Sequence, residues 1–275
     1  IGVRRTLKFA ACKPSAHYQL PLATSCPGFC EYCYLQTTLG PKPALRVYVN
    51  IDEILAQAQE YIAERAPQLT VFEGAATSDP IPTEYLTGSL QRSIEFFADT
   101  DLGRFRFVTK FSDVDSLLNT DHNGHSEIRF SLNTQKIIGQ YERGTASLKS
   151  RIEAAHKIAL AGYPLGFLLA PIILYDNWKE HYRMLISDLA EALSGISKPS
   201  FELITHRFTK RAKANIERVF PTSTLPMQEE ERQFKFGQFG YGKYVYPKET
   251  MEEIRDFFEE QIGQSFPQSE IKYLV

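Results

Sequence analysis

Six apolar segments alternate with helical segments along most of the chain, and this alternation is the feature that most restricts the fold. The predicted buried strands cover residues 18–24, 69–77, 105–111, 127–133, 164–174 and 200–208. Apolar residues at helical spacing predict helices over 51–65, 83–98, 148–161, 178–193 and 210–220. Strands joined in this way form a parallel sheet with right-handed crossovers. Six units are too few for a closed eight-fold barrel, so the sequence predicts an α/β fold, a partial (β/α)6 barrel of the TIM type, with its chemistry at the carboxyl ends of the strands.

Length and composition favour one domain over 1–275. We expect a lead-in over 1–17, the partial barrel over 18–222, and a C-terminal β-hairpin and covering helix over 223–275, with that helix at 250–262. Hydrophobic residues make up 43% of the chain and aromatic residues 12%, which is enough for a sizeable core. No run of eighteen apolar residues and no signal peptide is visible, so we expect no membrane partner. The low cysteine content favours a cytoplasmic location. The chain begins at Ile1 rather than Met, and we expect that an N-terminal segment is missing.

Three cysteines, Cys26, Cys30 and Cys33, lie in the loop TSCPGFCEYCY over 24–34 with C-x3-C-x2-C spacing. Thiolates this close in sequence can converge on one inorganic centre, as they do in iron–sulfur ligation. Three ligands leave one iron of a four-iron cubane open to a group that is not protein. A structural zinc site would need four Cys or His ligands, and disulfides would need an oxidising compartment. The remaining cysteine, Cys12, is expected to be a small buried residue.

The cysteine loop, with an aromatic residue before its third cysteine, resembles the signature of the radical S-adenosylmethionine (SAM) enzymes. Within them, the loop TSCPGFCEYCYLQ, the segment FEGAATSD over 72–79 and the aromatic tail resemble the spore photoproduct lyase family. This resemblance implies a partial barrel of the radical SAM type, a [4Fe–4S] cluster and SAM as the source of a 5′-deoxyadenosyl radical. It implies a DNA repair lyase that reverts the spore photoproduct, 5-thyminyl-5,6-dihydrothymine, to two thymines. We also expect a reductant such as flavodoxin or ferredoxin, and a location in the cytoplasm of the germinating spore.

Carried over residue by residue, the resemblance implies three groups of functional side chains. Cys26, Cys30 and Cys33 would hold three irons of the cluster. Ser78, Lys110 and Ser131, at or just past the ends of three predicted strands, would hold SAM. An ammonium such as that of Lys110 can pair with the SAM carboxylate, although a lysine at a strand end can also simply extend to solvent. Tyr34, with Tyr32, would relay the radical, and plain packing is the alternative for both tyrosines.

One position departs from the family pattern. Where the family has a cysteine that gives a hydrogen atom to the thymine radical, this chain has Ala76. A methyl side chain has no S–H bond to give, so lesion repair by this chain is expected to be impaired at that step. Either the chain has diverged from lesion repair or the thiol has been removed by mutation.

The formal net charge of −2 gives no general argument for a nucleic-acid partner. Basic residues nevertheless crowd one segment, which contains His206, Arg207, Lys210, Arg211, Lys213 and Arg218. The segment QFKFGQFGYGKYVY over 233–246 predicts a hairpin whose aromatic residues either stack on bases or pack inward as an ordinary sheet edge. With a thymine–thymine lesion in DNA as the partner, we expect Tyr241 to fill the gap left by the extruded lesion. We expect phosphate contacts from Lys235, Lys243, Arg207 and Arg211.

Two other functions stay open on the sequence alone. The chain can be a radical SAM enzyme that acts on a small molecule or a peptide, with the hairpin as a lid. It can also be a non-catalytic nucleic-acid-binding module stabilised by a metal. Tests of SAM cleavage and of lesion-DNA binding at two salt concentrations separate the three functions.

Overall fold

The structure, a computed structural model, describes residues 1–35, 44–196, 198–236 and 242–275. The strands are β1 Ala11–Cys12, β2 Ala16–Gln19, β3 Ala23–Thr24, β4 Phe29–Cys30, β5 Arg46–Val47, β6 Thr70–Glu73, β7 Gly103–Thr109, β8 Ser126–Leu132, β9 Glu142–Arg143, β10 Leu165–Ile172, β11 Ser200–Thr205, β12 Gln233–Phe236, β13 Gly242–Val245 and β14 Glu270–Leu274. The α-helices are α1 Ile51–Arg65, α2 Ile81–Thr87, α3 Ser89–Ala98, α4 Gln135–Tyr141, α5 Leu148–Leu160, α6 Trp178–Ala192, α7 Lys210–Val219 and α8 Lys248–Ser265. Among the described residues, no helix is both long enough and apolar enough to cross a membrane.

The chain divides into two compact units. The first contains Ile1–Pro27, Pro43–Phe130 and Lys149–Gly166, and the second contains Gly28–Lys42, Ser131–Leu148 and Phe167–Val275. Each unit is therefore assembled from segments that are distant in sequence.

The first unit is built on a sheet in which β1, β2, β6, β7 and β8 lie side by side in that order. The short hairpin β1–β2 is antiparallel, and every following pair is parallel, with Glu73 of β6 opposite Arg106 of β7. Parallel pairing with intervening helices is what the alternating pattern predicted. The amphipathic helix predicted over 51–65 is confirmed as α1.

Aromatic side chains form the core of the first unit. Phe97 of α3 lies 5.4 Å from Phe72 of β6 and 5.4 Å from Phe105 of β7, measured between ring centroids, and all three rings are buried. A Cβ at Gly74 would lie 2.9 Å from the ring of Phe105, so only glycine lets the chain pass this ring as it leaves β6. The turn over 74–78 is thereby held close to the core.

The second unit contains strands β10, β11 and β14 in that order, and β14 pairs in parallel with β11. Its core includes Phe201, whose ring centroid lies 5.7 Å from that of Phe167 and 5.2 Å from that of Phe266. A further cluster of buried residues lies in the second unit and includes Ile173, which directly follows β10. Its members are Ile137, Tyr141, Ile173, Phe208, Ile216, Phe220, Leu225, Met227 and Tyr244. The predicted C-terminal hairpin is present as β12–β13, and the predicted C-terminal helix is present as α8.

Two expectations about secondary structure are wrong. The strand predicted over 18–24 is two short strands in different sheets, because β2 ends at Gln19 and pairs with β6 whereas β3 pairs with β5. The helix predicted over 83–98 is two helices, because Gly88 adopts a left-handed φ of 58° and the Glu84 carboxylate accepts from the N–H groups of Leu90 and Gln91. A side chain that satisfies these N–H groups begins a new helix. The sequence reading also missed β14, whose short apolar pattern follows the long helix α8.

Candidate functional site

The second half of the cysteine loop lies in the second unit and is held by a short antiparallel pair. Strand β4 pairs with β9 so that Cys30 lies opposite Glu142 and Phe29 lies opposite Arg143. The N–H of Cys33 then donates to the carbonyl oxygen of Cys30 at 3.1 Å, which closes a tight turn. The structure thus brings Cys30 and Cys33 into one turn with a buried first cysteine.

Cys26 lies in the first unit, next to a residue with unusual backbone geometry. Ser25 adopts a φ of 70°, which is uncommon for a residue other than glycine. Its N–H donates to the carbonyl oxygen of Thr77 at 2.8 Å, and Ser25 forms an isolated parallel bridge with Ser78. The backbone that carries Cys26 is therefore fixed against the turn that follows β6.

The chemistry of these cysteines fits an iron–sulfur cluster. The structure records all four cysteines of the chain as thiols. In the described part of the chain, no group of three or more His, Cys, Asp or Glu side chains is arranged to hold a single metal ion. A cubane poses a different requirement, because each thiolate binds a different iron at a different corner. Soft thiolate donors at this spacing suit iron–sulfur clusters among the metal centres of proteins.

Ser78 and Lys110, predicted as SAM ligands, both lie in the first unit, and the carboxylate of Asp79, the residue after Ser78, holds the backbone of Lys110. Asp79 accepts from the N–H of Lys110 at 2.8 Å, from the hydroxyl of Thr109 at 2.8 Å and from the N–H of Ile81 at 3.3 Å. Asp79 is buried, and this burial raises its pKa to about 6 although the three hydrogen bonds oppose the shift. Sequence reasoning missed this role of Asp79, because no local pattern marks a buried carboxylate that accepts from the end of a distant strand.

The hydroxyl of Ser78 is the feature of this group that most clearly indicates a ligand. The Oγ atom is buried and has no hydrogen-bond partner among the described residues. A buried hydroxyl without a partner costs about 1–3 kcal/mol, so such groups usually have a ligand or a bound water. This atom fits a role in holding a polar cofactor.

The third predicted SAM ligand, Ser131, lies in β8 within the second unit and is 3% exposed. Strand β8 ends one residue later, at Leu132, so Ser131 has the strand-end position that was predicted.

The predicted radical relay residues occupy different environments in the second unit. Tyr32 packs against the buried cluster described above, and its hydroxyl donates a hydrogen bond to Oε1 of Glu142. Tyr34 is 58% exposed. Glu142 is buried, and sequence reasoning missed it because only the pairing of β4 with β9 brings it beside the cysteine turn.

Three of the predicted phosphate-binding residues come together at the hairpin. Lys235 and Lys243 are directly opposite each other across β12 and β13. The pKa of Lys243 is lowered mainly by burial, and further by the positive charges of Arg207 and Lys235. Like charges gathered in this way are expected where an anion binds. Arg211 is exposed on α7, and Tyr241 lies outside the described residues.

The aromatic residues of the hairpin divide between the two strands. Phe234 and Phe236 of β12 are 48% and 74% exposed, whereas Tyr244 of β13 is buried. Tyr244 stacks on Phe208 with ring centroids 5.3 Å apart, and the two residues exchange backbone hydrogen bonds of 2.7 and 3.2 Å. The inward-packing alternative is therefore confirmed for Tyr244 of β13, whereas β12 presents exposed aromatic rings and base stacking by them stays a prediction.

Three members of the basic segment, His206, Lys210 and Lys213, do not present unpaired positive charge. His206 is buried, and its pKa is lowered to about 3 by that burial and then by the adjacent Arg232. Lys210 and Lys213 each lie 3.6 Å from the carboxylate of Glu229. The positive surface is consequently smaller than the run of basic residues suggests.

Ala76 lies in the turn after β6, and the sequence reading missed the buried ionic group beside that turn. Glu73 and Arg129 form an ion pair, with side chains 4% and 2% exposed. Oε1 of Glu73 accepts from the N–H of Ala75 at 3.1 Å, and Oε2 accepts from the hydroxyl of Ser15 at 2.8 Å. The expectation that Cys12 is buried is wrong, because this residue ends the short edge strand β1 and is partly exposed.

The parallel α/β fold and the cysteine loop define a class, the radical SAM proteins with a partial barrel. The sequence profile of the spore photoproduct lyase family matches residues 1–275. The spore photoproduct lyase of Clostridium acetobutylicum is 51% identical over 275 residues, which cover all of this chain and 82% of the relative. The chain belongs to the spore photoproduct lyase family.

Solved structures of the family agree closely with this one. A spore photoproduct lyase complexed with dinucleoside spore photoproduct has a TM-score of 0.97 at 51% identity, covering 100% of this chain and 81% of that one. A second structure is a variant with one cysteine changed to alanine and one serine changed to cysteine, with bound AdoMet (SAM) and the same dinucleoside. It has a TM-score of 0.96 at 52% identity, covering 99% and 81%. A likeness of fold alone, at 13% identity and a TM-score of 0.57 over 92% of this chain and 63% of the other, extends to anSMEcpe with bound AdoMet. The predicted fold class is confirmed.

Proposed function

We propose that the chain is a DNA repair lyase that uses a [4Fe–4S] cluster and SAM to revert the spore photoproduct to two thymines. The observation that carries the proposal is the likeness to a family structure that holds the dinucleoside lesion, at 51% identity and a TM-score of 0.97 over the whole chain. A likeness this extensive includes every segment to which a functional residue has been assigned.

Cys26, Cys30 and Cys33 hold the cluster in this proposal. The loop spacing and the thiol state of the three side chains support the assignment. When bound, the cluster and SAM supply a carbon-centred radical that removes a hydrogen atom from C6 of the lesion. The protein supplies position and a site from which water is excluded.

Ser78, Lys110 and Ser131 position SAM. The Oγ atom of Ser78 donates or accepts one hydrogen bond that it lacks within the described structure. Asp79 fixes the backbone of Lys110, so that the lysine side chain begins from a defined point and can pair with a carboxylate. Ser131 offers a second small hydroxyl at a strand end.

Tyr32 and Tyr34 relay the radical equivalent. The hydrogen bond from the Tyr32 hydroxyl to Glu142 gives that phenol an acceptor for its proton when the ring loses an electron. The exposed ring of Tyr34 is accessible to a bound substrate. Loss of each hydroxyl by substitution with phenylalanine tests the two roles separately.

The hairpin holds the damaged DNA. A linked thymine pair has to leave the base stack to reach an enclosed site, which costs a few kcal/mol and costs least for damaged bases. Phe234 and Phe236 offer exposed rings for stacking, and Lys235, Lys243 and Arg207 offer charge for phosphates. Tyr241 and Arg211 complete the predicted DNA-binding set.

Ala76 stands where the family has its hydrogen-donor cysteine, so this chain has no thiol at that position. This chain has cysteine at position 12 and alanine 64 positions later, at position 76. In the SAM-bound family variant, the introduced cysteine likewise precedes the introduced alanine by 64 positions. A chain that depended on position 76 alone would be impaired in the last step of repair.

An electron donor of the flavodoxin or ferredoxin type and a place in the cytoplasm of the germinating spore are part of the proposal. The electron donor follows from the need to reduce the cluster. The location follows from the resemblance to the family.

An anaerobic assay of SAM cleavage with dinucleoside spore photoproduct tests the function. We expect a brown protein with four irons that consumes the lesion and releases thymidine units only when SAM and a reductant are present. Cleavage of SAM without lesion turnover would favour a small-molecule or peptide substrate. A colourless protein that binds DNA without cleaving SAM would favour the non-catalytic module.

A further inference from the structure

The outer side of the cysteine turn carries an exposed aromatic ring. Phe29 is 45% exposed, although the next residue along the chain, Cys30, is buried. The ring of Phe29 lies 4.8 Å from the ring of Phe220, measured between centroids, so packing fixes the side chain while much of it stays open to solvent. An aromatic surface therefore lies one residue away from a proposed ligand of the cluster.

Arg143 lies beside this ring and is also open to solvent. Phe29 and Arg143 are opposite each other across β4 and β9, and the Arg143 side chain is 60% exposed. Its Nη2 atom lies 3.3 Å from Oε1 of Glu31, and its Cζ atom lies 5.9 Å from the ring centroid of Phe220. Because the Glu31 side chain is only 3% exposed, a partner that approaches from solvent meets the guanidinium and not the carboxylate.

Helix α7 adds a second arginine at the same place. The helix ends at Val219, so its last turn leads directly into Phe220, the residue that packs against Phe29. Arg218 is exposed in that turn, and its Nη2 atom donates to Oδ1 of Asn215 at 2.7 Å. No carboxylate among the described residues pairs with Arg218.

The solvent face of α7 is positive along its length. Arg211 and Arg218 are seven residues apart, which places them on one face of the helix. Glu217 is the one acidic residue in the sequence of α7, and an adjacent position on a helix points about 100° away from Arg218. The turn at the end of α7 therefore presents an apolar centre with arginines at its edge.

This surface is separate from the hairpin assigned to DNA. Phe208, two residues before α7, exchanges backbone hydrogen bonds with Tyr244 of the hairpin, so the hairpin lies at the start of the helix. Phe29 and Arg143 lie at its end. Ten helical residues span about 15 Å, so DNA phosphates bound at the hairpin leave the end of α7 accessible.

An apolar centre with a charged rim is the usual composition of a protein interface. Electron-transfer partners form small, short-lived complexes, and opposite charge on the two surfaces raises their rate of association. A carrier that matches the arginines has an acidic surface around its redox group. Phe29 and Cys30 share one peptide bond, so an electron delivered at this surface arrives next to a cluster ligand.

We infer that Phe29, Arg143 and Arg218 form the docking surface for an acidic one-electron carrier protein that reduces the cluster. The carrier loses one electron and the cluster gains it, and no atom or proton crosses the interface. This inference rests on the proposed function, and it adds where on the chain the electron enters.

Reversal of one charge tests the docking surface. Reduction of the cluster-loaded protein is followed by stopped-flow absorbance without SAM, with reduced flavodoxin and, separately, reduced ferredoxin as the donor. At 50 mM salt we expect Arg218→Glu to lower the second-order rate constant about fivefold or more, because the variant repels an acidic carrier. The difference from the unaltered chain should shrink at 500 mM salt, where surface charges are screened.

Arg255→Glu provides the matched control. Arg255 lies on α8, is 49% exposed and pairs with Glu259, so its reversal changes the net charge by the same amount at another surface. We expect this variant to keep the unaltered rate constants with both carriers. Dithionite, a small reductant that needs no docking surface, should reduce all three proteins at the same rate.

A second measurement does not depend on electron transfer. Oxidised flavodoxin added to the cluster-loaded protein at 50 mM salt should slow hydrogen exchange of backbone amides over 28–33 and 214–222. Undamaged duplex DNA should leave these segments unchanged. Protection of both segments by DNA and not by flavodoxin would assign the surface to DNA and overturn the inference.

The outcomes separate the docking surface from the proposed function. If Arg218→Glu and Arg255→Glu are reduced by the carriers at equal rates, the docking inference is overturned and the lyase function stands. The same holds if neither carrier reduces a cluster that dithionite reduces. If the chain takes up no cluster, or consumes no lesion with dithionite and SAM, both proposals are overturned.

Discussion

The backbone N–H of Lys110 donates a hydrogen bond of 2.8 Å to Oδ2 of Asp79, so a buried carboxyl fixes the residue predicted to pair with SAM. Burial raises the pKa of Asp79 from 3.8 to about 6. Between these two values the folded chain holds a proton that the unfolded chain releases, so this group adds stability as the pH falls. We expect Asp79→Asn to remove up to about 1.4 kcal/mol per pH unit of that dependence between pH 6 and 4. Urea unfolding at several pH values measures the difference from the unaltered chain.

Asp79→Asn also replaces one carboxylate oxygen with an amide nitrogen, which cannot accept from the N–H of Lys110. We therefore expect weaker SAM binding at every pH, with iron content unchanged. Loss of iron in this variant would contradict a role confined to the SAM side of the site.

His206 should change the stability with pH in the direction opposite to that of Asp79. Arginine can only donate, so the 3.4 Å approach of Arg232 to Nδ1 of His206 indicates that this nitrogen is unprotonated. The pKa of His206 is about 3 in the folded chain, against 6.5 without burial, so below pH 6.5 the unfolded chain binds a proton that the folded chain excludes. Stability should fall by about 1.4 kcal/mol per pH unit from pH 6.5 downward because of this residue alone. His206→Gln should flatten that slope in the same unfolding series, and an unchanged slope would contradict the buried neutral state.

Ser78→Ala should separate binding from stability. Its hydroxyl is buried without a partner, so its removal should leave the free energy of unfolding unchanged or raise it by about 1 kcal/mol. SAM binding, measured by calorimetry on the cluster-loaded protein, should weaken about tenfold, because one hydrogen bond to the ligand is worth about 1.4 kcal/mol at a desolvated site.

Ser126 provides the control for Ser78, because its hydroxyl is also buried without a partner in the described structure. Ser126→Ala should match Ser78→Ala in stability and leave SAM affinity unchanged. Equal SAM affinities for the two variants would argue that Ser78 does not contact SAM.

Lys235 and Lys243 should govern the salt dependence of DNA binding. Removal of one phosphate contact lowers the slope of log K against log[salt] by about 1 on duplex DNA. We expect Lys235→Ala and Lys243→Ala each to produce this change for lesion-containing duplex, and Lys248→Ala, whose ammonium pairs with Glu252 on α8, to produce none. Anisotropy titrations at 50 and 200 mM salt measure the slopes. Equal slopes for the three variants would show that Lys235 and Lys243 of the hairpin do not contact DNA phosphates.

Regular elements could be predicted from the sequence because their periodicity records which face is buried. The stripe of Ile54, Leu55, Ala58, Tyr61 and Ile62 predicted α1, and the structure buries all of these residues except Tyr61, which is partly buried. The helix break at Gly88 was missed because it depends on the Glu84 carboxylate, which meets Leu90 and Gln91 only when the chain has turned.

The chemistry-bearing residues could be predicted only where a motif fixes them by spacing. The cysteine loop is such a motif, and its C-x3-C-x2-C spacing is enough to group the three cysteines as ligands of one centre. Glu73, Ser15 and Arg129 are far apart in sequence and meet only through the pairing of strands, so no local pattern marks them. His206 was counted with the basic residues of its segment, because a run of basic residues does not show which member is buried.

The position of Glu73 between two turns has a consequence for how this part of the chain can move. One carboxylate accepts from the Ser15 hydroxyl and from the N–H of Ala75, so neither turn can shift without breaking a hydrogen bond to Glu73. The two turns should therefore move together, and a substitution that removes this carboxylate would release both at once.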